Sequence, residues 1–478
     1  MTQPFYVAGE PRTSSTAAAV DSPFDGAHAG DYYVPADADV EEAVVAAEAA
    51  LGPCRRLSAA QRAAALDHIS ASISSRSQEF VRTITAETGK PVKWSAAEVN
   101  RAASTFRWAA EETRRWSGEL QRLDTDPAAA GRTAIVRRFA FGAVLGIAPF
   151  NFPLNLVAHK VAPALAVGAP IVIKPAPATP LTALLLGEVL AETELPEGSW
   201  SVLPLDNERT ARLVTDPRLP IVSFTGSERV GYAIEAEVPH KHVTLELGGN
   251  AAAAVLSDWS GEQDIDWAVD RIATFATYQA GQSCISVQRV LLADSIYDAV
   301  LERLVGAFEA LPTGSPWEPD TVVGPVINAA AAQRIIDWIG EATAGGASLL
   351  TGGTRDGNTV APTILADVPG DAKVSCEEVF GPVITVTRVR DADEAFEAIN
   401  GSRFGLQAGV FTHDLRVAFR AHRELEVGGV VIGDVPSFRA DQMPYGGEKS
   451  SGVGREGLLA AMEDLTHARV LVLTGIDL

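Results

Sequence analysis

The chain has 478 residues, of which 47% are hydrophobic and 21% are charged, and its formal net charge at pH 7 is −22. This length exceeds a single ordinary hydrophobic core, so the composition predicts a soluble globular protein of about two or three domains. The acidic balance excludes the classes of protein that bind nucleic acids or anionic membranes through basic surfaces.

The cysteine content and the first residues of the chain indicate the cellular compartment of the protein. Cys54, Cys284 and Cys376 form no C-x-x-C pair and are too few for a disulfide framework, which indicates a reducing, cytoplasmic compartment. Residues 1–12 contain no basic stretch before an apolar core, so no secretory signal is expected. A lysine, prolines and a glycine interrupt the apolar run 157–173, so no membrane span is expected.

The first part of the chain predicts helices followed by a hairpin. Apolar residues recur at helical spacing over 39–51 and 59–75, and residues 87–118 predict one or two further helices. The segment 124–131 contains a proline and a glycine and predicts the turn of a hairpin, with arms at 120–123 and 133–139.

Strand-like and helix-like segments then alternate. Strands are predicted at 142–148, 171–174, 200–203, 221–224 and 242–247. Helices are predicted at 154–167, ending at Gly168, and at 181–195, which has an amphipathic pattern. This alternation predicts a parallel, doubly wound sheet, which binds ligands at the carboxyl ends of its strands.

A second α/β region is predicted over about 248–443. Its strands include 287–292 and 383–389, and its helices include 295–311 and 330–345. The tail segment 468–473 predicts a short strand, whose partner is either the 120–139 hairpin or another subunit.

Two side chains near glycines are candidates for catalysis. Cys284 follows Gly281 and Ser283, where backbone amides can be exposed; its alternative interpretation is a small buried hydrophobe. Glu246 ends an apolar strand before two glycines, where a raised pKa would suit a general base; its alternative is a solvent-facing strand end.

Three loops after predicted strands are candidates for ligand binding. Residues 224–227, Phe-Thr-Gly-Ser, open a helix whose free amides suit a phosphate, and Thr225 and Glu228 have the spacing of a capping box. Asn151, between two prolines, could donate its amide to an oxyanion. Lys174 ends a strand and could reach a ribose hydroxyl. The alternatives are an ordinary capped helix, a proline-shaped turn and a solvated lysine.

Taken together and in order, these segments resemble the aldehyde dehydrogenase superfamily over nearly the whole chain. The resemblance rests on P-F-N-F-P (149–153), K-P-A (174–176), F-T-G-S (224–227), L-E-L-G-G-N (245–250), G-Q-S-C (281–284), E-E-V-F-G-P (377–382) and P-Y-G-G-E-K-S-S-G (444–452). The run 439–447 is similar to the branch that handles lactaldehyde, sulfoacetaldehyde, phosphonoacetaldehyde or glyceraldehyde 3-phosphate.

The resemblance implies an α/β fold with a Rossmann-like coenzyme-binding domain, a second α/β catalytic domain and a small β oligomerisation element. The implied ranges are 1–118 with 140–246, then 247–445, and finally 119–139 with 460–478. A homodimer or homotetramer is expected. Neither a nucleic acid nor a membrane is an expected partner, and no metal is expected.

The resemblance also implies a mechanism. Cys284 is the nucleophile that attacks an aldehyde to give a thiohemiacetal and then a thioester. The Cys284 backbone amide and the Asn151 side chain hold the oxyanion, and Glu246 activates the hydrolytic water.

The implied cofactor is NAD or NADP. The residues expected to bind it are Ala148, Pro149, Phe150, Lys174, Phe224, Thr225, Gly226, Ser227, Val230, Leu247, Glu378 and Phe380. Three residues after the lysine, NAD-preferring members often carry a Glu that binds the ribose diol, whereas this chain has Pro177. Both coenzymes therefore remain open.

The positions that match the substrate tunnel of the family are unusually polar. They are Phe152, Asn155, Leu156, His159, Tyr278, Ser283, Ile285, Arg439 and Tyr445. Arginine and histidine suit carboxylate, sulfonate or phosphate groups, so a small polar or anionic aldehyde is favoured. A surface salt bridge is the alternative for Arg439. Arg289 is predicted to be structural, and Arg107 is a further tunnel candidate.

Three alternative functions remain open at this point. A semialdehyde dehydrogenase would use the same mechanism on a carboxylate-bearing substrate. A CoA-acylating aldehyde dehydrogenase generally lacks the general-base Glu, so Glu246 argues against it. A catalytically silent protein on this fold is opposed by the presence of Cys284, Glu246 and Asn151.

Overall fold

The computed structural model describes residues 2–475 as a mixed α/β protein. Residue 1 and residues 476–478, which belong to the predicted segments 1–118 and 460–478, lie outside the described residues. Within the described part of the chain, no helix combines the length and the apolarity needed to cross a bilayer.

The secondary structure begins with short strands and a group of helices, after which strands and helices alternate. The helices are α1 Asp37–Arg56, α2 Ala59–Ser75, α3 Ser77–Thr88, α4 Val92–Arg115, α5 Asn155–Val167, α6 Leu181–Ala191, α7 Asn207–Thr215, α8 Glu228–Glu237, α9 Glu262–Thr277, α10 Tyr297–Glu309, α11 Ala329–Ala344, α12 Lys373–Cys376, α13 Ala392–Asn400, α14 Leu415–Glu424 and α15 Leu458–Asp464. The strands are β1 Phe5–Val7, β2 Glu10–Arg12, β3 Ala17–Asp21, β4 His28–Tyr33, β5 Glu119–Arg122, β6 Arg132–Ala140, β7 Val144–Ile147, β8 Ile171–Lys174, β9 Trp200–Val202, β10 Ile221–Thr225, β11 His242–Glu246, β12 Ala252–Val255, β13 Arg289–Ala293, β14 Ser348–Thr351, β15 Arg355–Asp356, β16 Thr359–Val360, β17 Thr363–Ala366, β18 Val383–Val389, β19 Phe404–Gly405, β20 Gln407–Phe411, β21 Gly429–Ile432, β22 Glu448–Lys449, β23 Gly452–Val453 and β24 Thr466–Thr474.

The first sheet has the strand order of a doubly wound fold. The order is β2-β1-β9-β8-β7-β10-β11-β23, and the strands from β9 to β11 run parallel. Counted along the chain, these parallel strands have the spatial order 3-2-1-4-5, so the winding reverses between β7 and β10. Open parallel sheets bind ligands at such a reversal, beyond the carboxyl ends of the strands. The predicted doubly wound sheet is therefore confirmed.

The second sheet is also mainly parallel. Its order is β14-β17-β18-β13-β12-β20-β21, and only β14 runs antiparallel to its neighbour. Its apolar cluster, which α9 and α10 help to form, is separate from that of the first sheet. We call the apolar clusters around the first sheet the first core and those around the second sheet the second core.

A third, three-stranded antiparallel sheet has the order β24-β6-β5. The tail strand β24 pairs with β6 along its whole length, from Thr466 opposite Ala140 to Thr474 opposite Arg132. The prediction that the tail pairs with the 120–139 hairpin is confirmed, and the pairing lies within one chain.

Most predicted elements are present with ends shifted by a few residues, and those at 59–75, 171–174 and 383–389 have the predicted bounds. The predicted segment 87–118 is divided between α3 and α4. Gly89 separates them with φ of 67°, and a Cβ there would lie 2.4 Å from Cγ of Pro325. Pro91 then precedes the first residue of α4.

The prediction for 181–195 is wrong in two respects. Helix α6 ends at Ala191, and nearly all of its residues are buried rather than half of them. It contacts α3 as well as strands β1 and β9, so both sides are covered and no polar face is required. Strands β1 to β4 were not predicted, because several of these residues are exposed and their apolar alternation is weak.

Candidate active site

One large cavity lies beyond the carboxyl ends of the parallel strands in the first sheet. Its volume is about 740 Å³, and it reaches from the helices α7 and α8 to the second sheet. The strand ends supply Lys174, Thr225 and Glu246, and the loop after β7 follows Ile147. The cavity is lined by every residue predicted for catalysis and for the coenzyme, namely Ala148, Pro149, Phe150, Asn151, Lys174, Phe224, Thr225, Gly226, Ser227, Val230, Glu246, Leu247, Cys284, Glu378 and Phe380.

The segment before Cys284 has an unusual backbone. Gln279, Ala280 and Gly281 have φ of 50°, 54° and 70°, a left-handed conformation that is rare outside glycine. A Cβ on Gly281 would lie 2.1 Å from the carbonyl oxygen of Gly381, so glycine is required there. This tight turn follows α9 and brings Cys284 from the second core into the cavity beyond the carboxyl ends of the first sheet's strands.

Asn151 is fixed beside this turn. Its Nδ2 donates a 3.0 Å hydrogen bond to the carbonyl oxygen of Gln282, and Gln279 donates to the backbone oxygen of Asn151. An amide nitrogen carries two hydrogens, so one N–H of Asn151 is not used by the bond to Gln282. Asn151 and Cys284 both line the large cavity.

The Cys284 thiol lies in a crowded environment of mixed charge. Its Sγ is 2.9 Å from the hydroxyl of Tyr445. Burial raises the pKa of Cys284 to about 12, and the negative charge of Glu378 also raises it. The hydrogen bond with Tyr445 and the positive charge of Arg439 lower this pKa. The thiolate in this cavity therefore depends on local hydrogen bonds and cations.

Glu246 is buried without a partner. The residue is 3% exposed, and neither carboxylate oxygen has a hydrogen-bond partner among residues 2–475. Burial raises the pKa of Glu246 well above its ordinary value, and the negative charge of Glu456 raises it further. A carboxylate in this state is a stronger base than an exposed one.

A buried ionic network lies behind Glu246. Lys160 donates to Ser223 at 3.0 Å, to Thr225 at 2.8 Å and to Glu456 at 3.4 Å. Burial alone would raise the pKa of Glu456, but the charges of Lys160 and Arg439 outweigh it and lower that pKa to about 2. Glu456 therefore remains a buried anion.

The predicted capping box at Thr225 and Glu228 is wrong. Strand β10 continues through Thr225, whose hydroxyl is held by Lys160, and Ser227 is the residue that precedes α8. Glu228 pairs with Arg403 instead of turning back to the helix start. Ser227 makes no capping bond through its side chain, so the first amides of α8 are free for a phosphate.

The other coenzyme candidates converge on the same cavity. Lys174 is 4% exposed, and burial lowers its pKa to about 8. Glu378 accepts a 2.9 Å hydrogen bond from the Gly249 amide, and burial raises its pKa to about 7. A Cβ on Gly248 would lie 2.4 Å from that carboxylate, which explains the glycine. The rings of Phe380 and Phe150 meet edge to face at 5.9 Å.

The structure places the predicted tunnel residues in several different positions. Phe152 and Tyr278 have ring centroids 5.8 Å apart, and Ile285 packs against Tyr445. His159 lies with Arg439 near Tyr445, while Leu156 lines the main cavity and Ser283 belongs to the tight turn before Cys284. Asn155 is turned away, because its side chain accepts a hydrogen bond from Thr105 of α4.

Arg439 is not a surface salt bridge. Its side chain is 6% exposed, it donates to Glu456 at 3.2 Å, and its guanidinium lies 3.7 Å from the ring centroid of Tyr445. Its Nε has no hydrogen-bond partner among residues 2–475. Arg289 is structural as predicted, since it donates to the carbonyl oxygens of Asn250 and Ala398.

Sequence reasoning missed Arg101, Asp441 and Glu456. Asp441 accepts from Arg101 at 2.8 Å and contacts His159 at 3.0 Å, and the Nε of Arg101 has no partner in the described chain. A signal was available for Arg101, because Glu98, Arg101 and Thr105 place polar groups along one face of α4. Arg107, by contrast, is about half exposed and pairs with Glu111.

The loop that carries Asn151 is anchored by a buried ion pair. Glu98 accepts hydrogen bonds from the amides of Leu154 at 2.9 Å and Asn155 at 3.1 Å, at the start of α5. Its other oxygen is bound by Lys90, whose Nζ lies 4.2 Å from the ring centroid of Phe152. Both side chains of the pair are fully buried.

Comparisons with known proteins agree with this geometry. The pattern of the "Aldehyde dehydrogenase family" matches residues 10–471. The chain is 39% identical over 473 residues to 3-sulfolactaldehyde dehydrogenase of Priestia aryabhattai, covering 98% of this chain and 97% of that one. The structure of aldehyde dehydrogenase 21 from Physcomitrella patens, in complex with the reaction product succinate, superposes with a TM-score of 0.97 at 41% identity, covering 99% and 98%. NADP-dependent glyceraldehyde-3-phosphate dehydrogenase from Bacillus halodurans, complexed with NADP, gives 0.95 at 33% identity and covers 100% of both chains.

Proposed function

This chain belongs to the aldehyde dehydrogenase family, and we propose that it oxidises a small polar or anionic aldehyde to the acid through a thioester on Cys284. One observation carries the proposal: Cys284, Asn151 and the unpartnered Glu246 line the same cavity as the coenzyme candidates. A nucleophile, an amide donor and a buried base are the three groups that this chemistry needs.

The chain's own groups divide the reaction into two stages. The Cys284 thiolate attacks the carbonyl carbon, a C–S bond forms, and the developing oxyanion is held by the Asn151 amide and the Cys284 backbone N–H. A nicotinamide coenzyme bound in the cavity would supply the hydride acceptor for this carbon, and loss of hydride from the thiohemiacetal would leave a thioester on Cys284. Glu246 then takes a proton from water as the water attacks the thioester; the C–S bond breaks, the acid leaves, the Cys284 thiolate is regenerated, and Glu246 passes its proton to solvent.

The cavity suits a nicotinamide coenzyme, because it offers a buried lysine, free helix amides and a buried carboxylate. Lys174 and Glu378 would bind ribose hydroxyls, the α8 amides after Ser227 would bind phosphate, and Phe380 would pack on the ring. Pro177 lines the same cavity and carries no charge that would repel a 2′-phosphate. We therefore propose that the site accepts NAD or NADP.

The substrate class is proposed from two unsatisfied donors. The Nε atoms of Arg101 and Arg439 are buried without partners, and both side chains lie beside the Asp441–His159 pair. An anionic group on the aldehyde would satisfy them with charge-assisted hydrogen bonds. The three similar proteins act on or hold a sulfonate, a dicarboxylate or a phosphate by their names, which supports an anionic tail. A semialdehyde dehydrogenase is the alternative within this class.

A panel of anionic and neutral aldehydes with NAD and NADP, followed by absorbance of the reduced coenzyme, tests the proposal. Cys284→Ala should abolish turnover, whereas Cys376→Ala, its matched control outside the cavity, should keep it. Glu246→Gln should release about one equivalent of reduced coenzyme per active site and then stall, because the thioester is formed but not hydrolysed. Absence of oxidation with every aldehyde, or full activity of Cys284→Ala, would overturn the proposal. Acceleration of turnover by CoA would favour the acylating alternative.

We also propose a homo-oligomer, because the three-stranded sheet exposes apolar side chains that one chain leaves uncovered. Leu120 is 62% exposed, and Val470, Leu471 and Val472 of the tail strand are 56%, 56% and 50% exposed. Exposed apolar strands of this kind usually mark an interface between subunits.

A further inference from the structure

The hydroxyl of Tyr445 lies against the nucleophile. Its Oη is 2.9 Å from Sγ of Cys284, and the residue is 3% exposed. Among residues 2–475, this phenol is the one side chain within hydrogen-bonding distance of the sulfur. The contact therefore bears directly on the thiol.

The position of the phenol is fixed from two sides. The Tyr445 amide donates to the carbonyl oxygen of Glu456 at 2.9 Å, and the Glu456 amide donates back at 2.6 Å. On the ring face, the guanidinium of Arg439 lies 3.7 Å from the centroid and is itself held by Glu456. The Tyr445 side chain therefore has little freedom to leave the sulfur.

The direction of the hydrogen bond follows from the two acids. The ordinary pKa of the phenol is 10.0 and that of the thiol is 9.0, and burial raises the pKa of both groups. The first proton to leave the pair is thus the thiol's, and the phenolic O–H remains to donate to sulfur. The cation of Arg439 over the ring strengthens the phenol as a donor.

We propose that Tyr445 is a catalytic residue, whose hydroxyl donates a hydrogen bond to the Cys284 thiolate and holds that sulfur at the cavity. The inference rests on the proposed role of Cys284 as nucleophile. The other charged groups that face the sulfur are Glu378 and Glu246, which oppose a thiolate, and Arg439, which favours one. Tyr445 supplies the donor that a buried thiolate needs beside two carboxylates.

The test is alkylation of Cys284 by iodoacetamide across a pH series, without aldehyde or coenzyme. The thiolate forms an S–C bond, iodide leaves, and the thiol proton passes to the buffer. In Tyr445→Phe the thiolate loses its donor, so the pKa of Cys284 should rise and the alkylation rate at pH 8 should fall about tenfold. Mass spectrometry of the Cys284 peptide gives the rate.

Two controls separate this effect from a general change in the protein. Alkylation of Cys376 in the same samples should be unchanged, and Tyr297→Phe, outside the cavity, should leave the Cys284 profile unchanged. If Tyr445→Phe lowers the thermal midpoint, 4-aminophenylalanine at position 445 is the second variant; its N–H keeps a donor at the sulfur, so the Cys284 alkylation profile should stay near that of the unaltered protein.

The outcomes are distinct. An unchanged Cys284 profile in Tyr445→Phe, or alkylation of the 4-aminophenylalanine variant as slow as that of Tyr445→Phe, overturns the role of Tyr445, even if turnover falls. A shifted profile in a protein that oxidises no aldehyde would overturn the proposed function and leave the hydrogen bond established.

Discussion

At the scale of single residues, two buried carboxylates differ in their protonation. Glu456 is held as an anion by Lys160 and Arg439, whereas Glu246 has no hydrogen-bond partner in the described chain and a raised pKa. The negative charge of Glu456 contributes to that raised pKa. The acidity of the proposed base is therefore set in part by a residue that need not touch the substrate.

This arrangement predicts the direction of a pH effect. The pKa of Glu246 is raised, so the base is lost to protonation as pH falls through that pKa, and thioester hydrolysis falls with it. Glu456→Gln removes a negative charge and leaves Lys160 and Arg439 less neutralised, and both changes lower the pKa of Glu246. The acid limb of the kcat–pH profile should move to lower pH. A move to higher pH would contradict this account.

The Nε atoms of Arg101 and Arg439, which have no hydrogen-bond partner in the described chain, predict a selective effect on the Michaelis constant. Arg101→Gln and Arg439→Gln each remove a charged donor, which typically costs about tenfold or more in binding an anion. We expect KM for anionic aldehydes to rise about tenfold and KM for neutral aldehydes to change about twofold or less. Arg107→Gln, on the exposed side of α4, is the matched control. Equal losses for both substrate classes would count against an anion site.

The residues that could be predicted from sequence are those in short local motifs. Cys284, Asn151 and Glu246 stand in such motifs, and all three line one cavity, where the first sheet places Asn151 and Glu246 and the turn after α9 places Cys284. Asp441 and Glu456 gain their meaning only from partners on distant segments, such as Arg101 and Lys160. The spacing of residues along the sequence does not predict pairings between such distant segments. The capping-box prediction at Thr225 failed for the same reason, because Lys160 binds that hydroxyl.

At the scale of elements, the start of α5 depends on a buried ion pair. Glu98 accepts two amides there and is neutralised by Lys90, and both side chains are inaccessible to solvent. A buried charge that loses its partner costs about 3–5 kcal/mol. The loop of Asn151 precedes this helix start, so the cost falls close to the oxyanion donor.

Lys90→Met should therefore lower the free energy of unfolding by about 3 kcal/mol or more, and should lower kcat through the displaced Asn151 loop. The thermal midpoint and steady-state kinetics measure the two effects. Arg107→Met breaks the exposed pair with Glu111 and should cost roughly 0–1 kcal/mol, which makes it the matched control. Similar decreases in the free energy of unfolding for the two variants would contradict the stabilising role given to the buried pair.

Helix α6 shows why some elements could not be predicted in detail. Its sequence is apolar on nearly every side, and only the packing of α3 and of strands β1 and β9 explains why. Hydrophobic periodicity identifies the stripe of a half-buried helix but does not identify an interior one. By contrast, the α3–α4 break follows from local chemistry, since Gly89 adopts a left-handed φ and Pro91 ends the linker.

At the scale of the whole molecule, the three-stranded sheet has an uncovered apolar row. Leu120 lies opposite Ile135, which lies opposite Leu471, so these side chains share one face. The edge strand β21 of the second sheet is open, and Leu415 and Phe419 of α14 are 72% and 65% exposed. These surfaces fit the proposed interfaces between copies of the chain. The division of the chain into coenzyme-binding, catalytic and oligomerisation ranges stays a prediction from the sequence.

Leu471→Lys should dissociate the oligomer, because a charge would replace an apolar side chain in the row. Analytical ultracentrifugation measures the change in mass. Val45→Lys, on α1 with 49% exposure, is the control and should leave the mass unchanged. A wild-type monomer, or an unchanged mass in Leu471→Lys, would contradict the proposed interface.

The tight turn at Gln279–Gly281 has a consequence for engineering. It brings the thiol from the second core, while Asn151 and Glu246 come from the first, so neither half of the chain holds all three of the proposed catalytic groups. Hybrids that exchange one core between relatives would join a nucleophile from one parent to a base and an amide from the other. The kcat of such a hybrid, compared with that of its parents, would measure how well a core from one parent fits a core from the other when all the motifs are present.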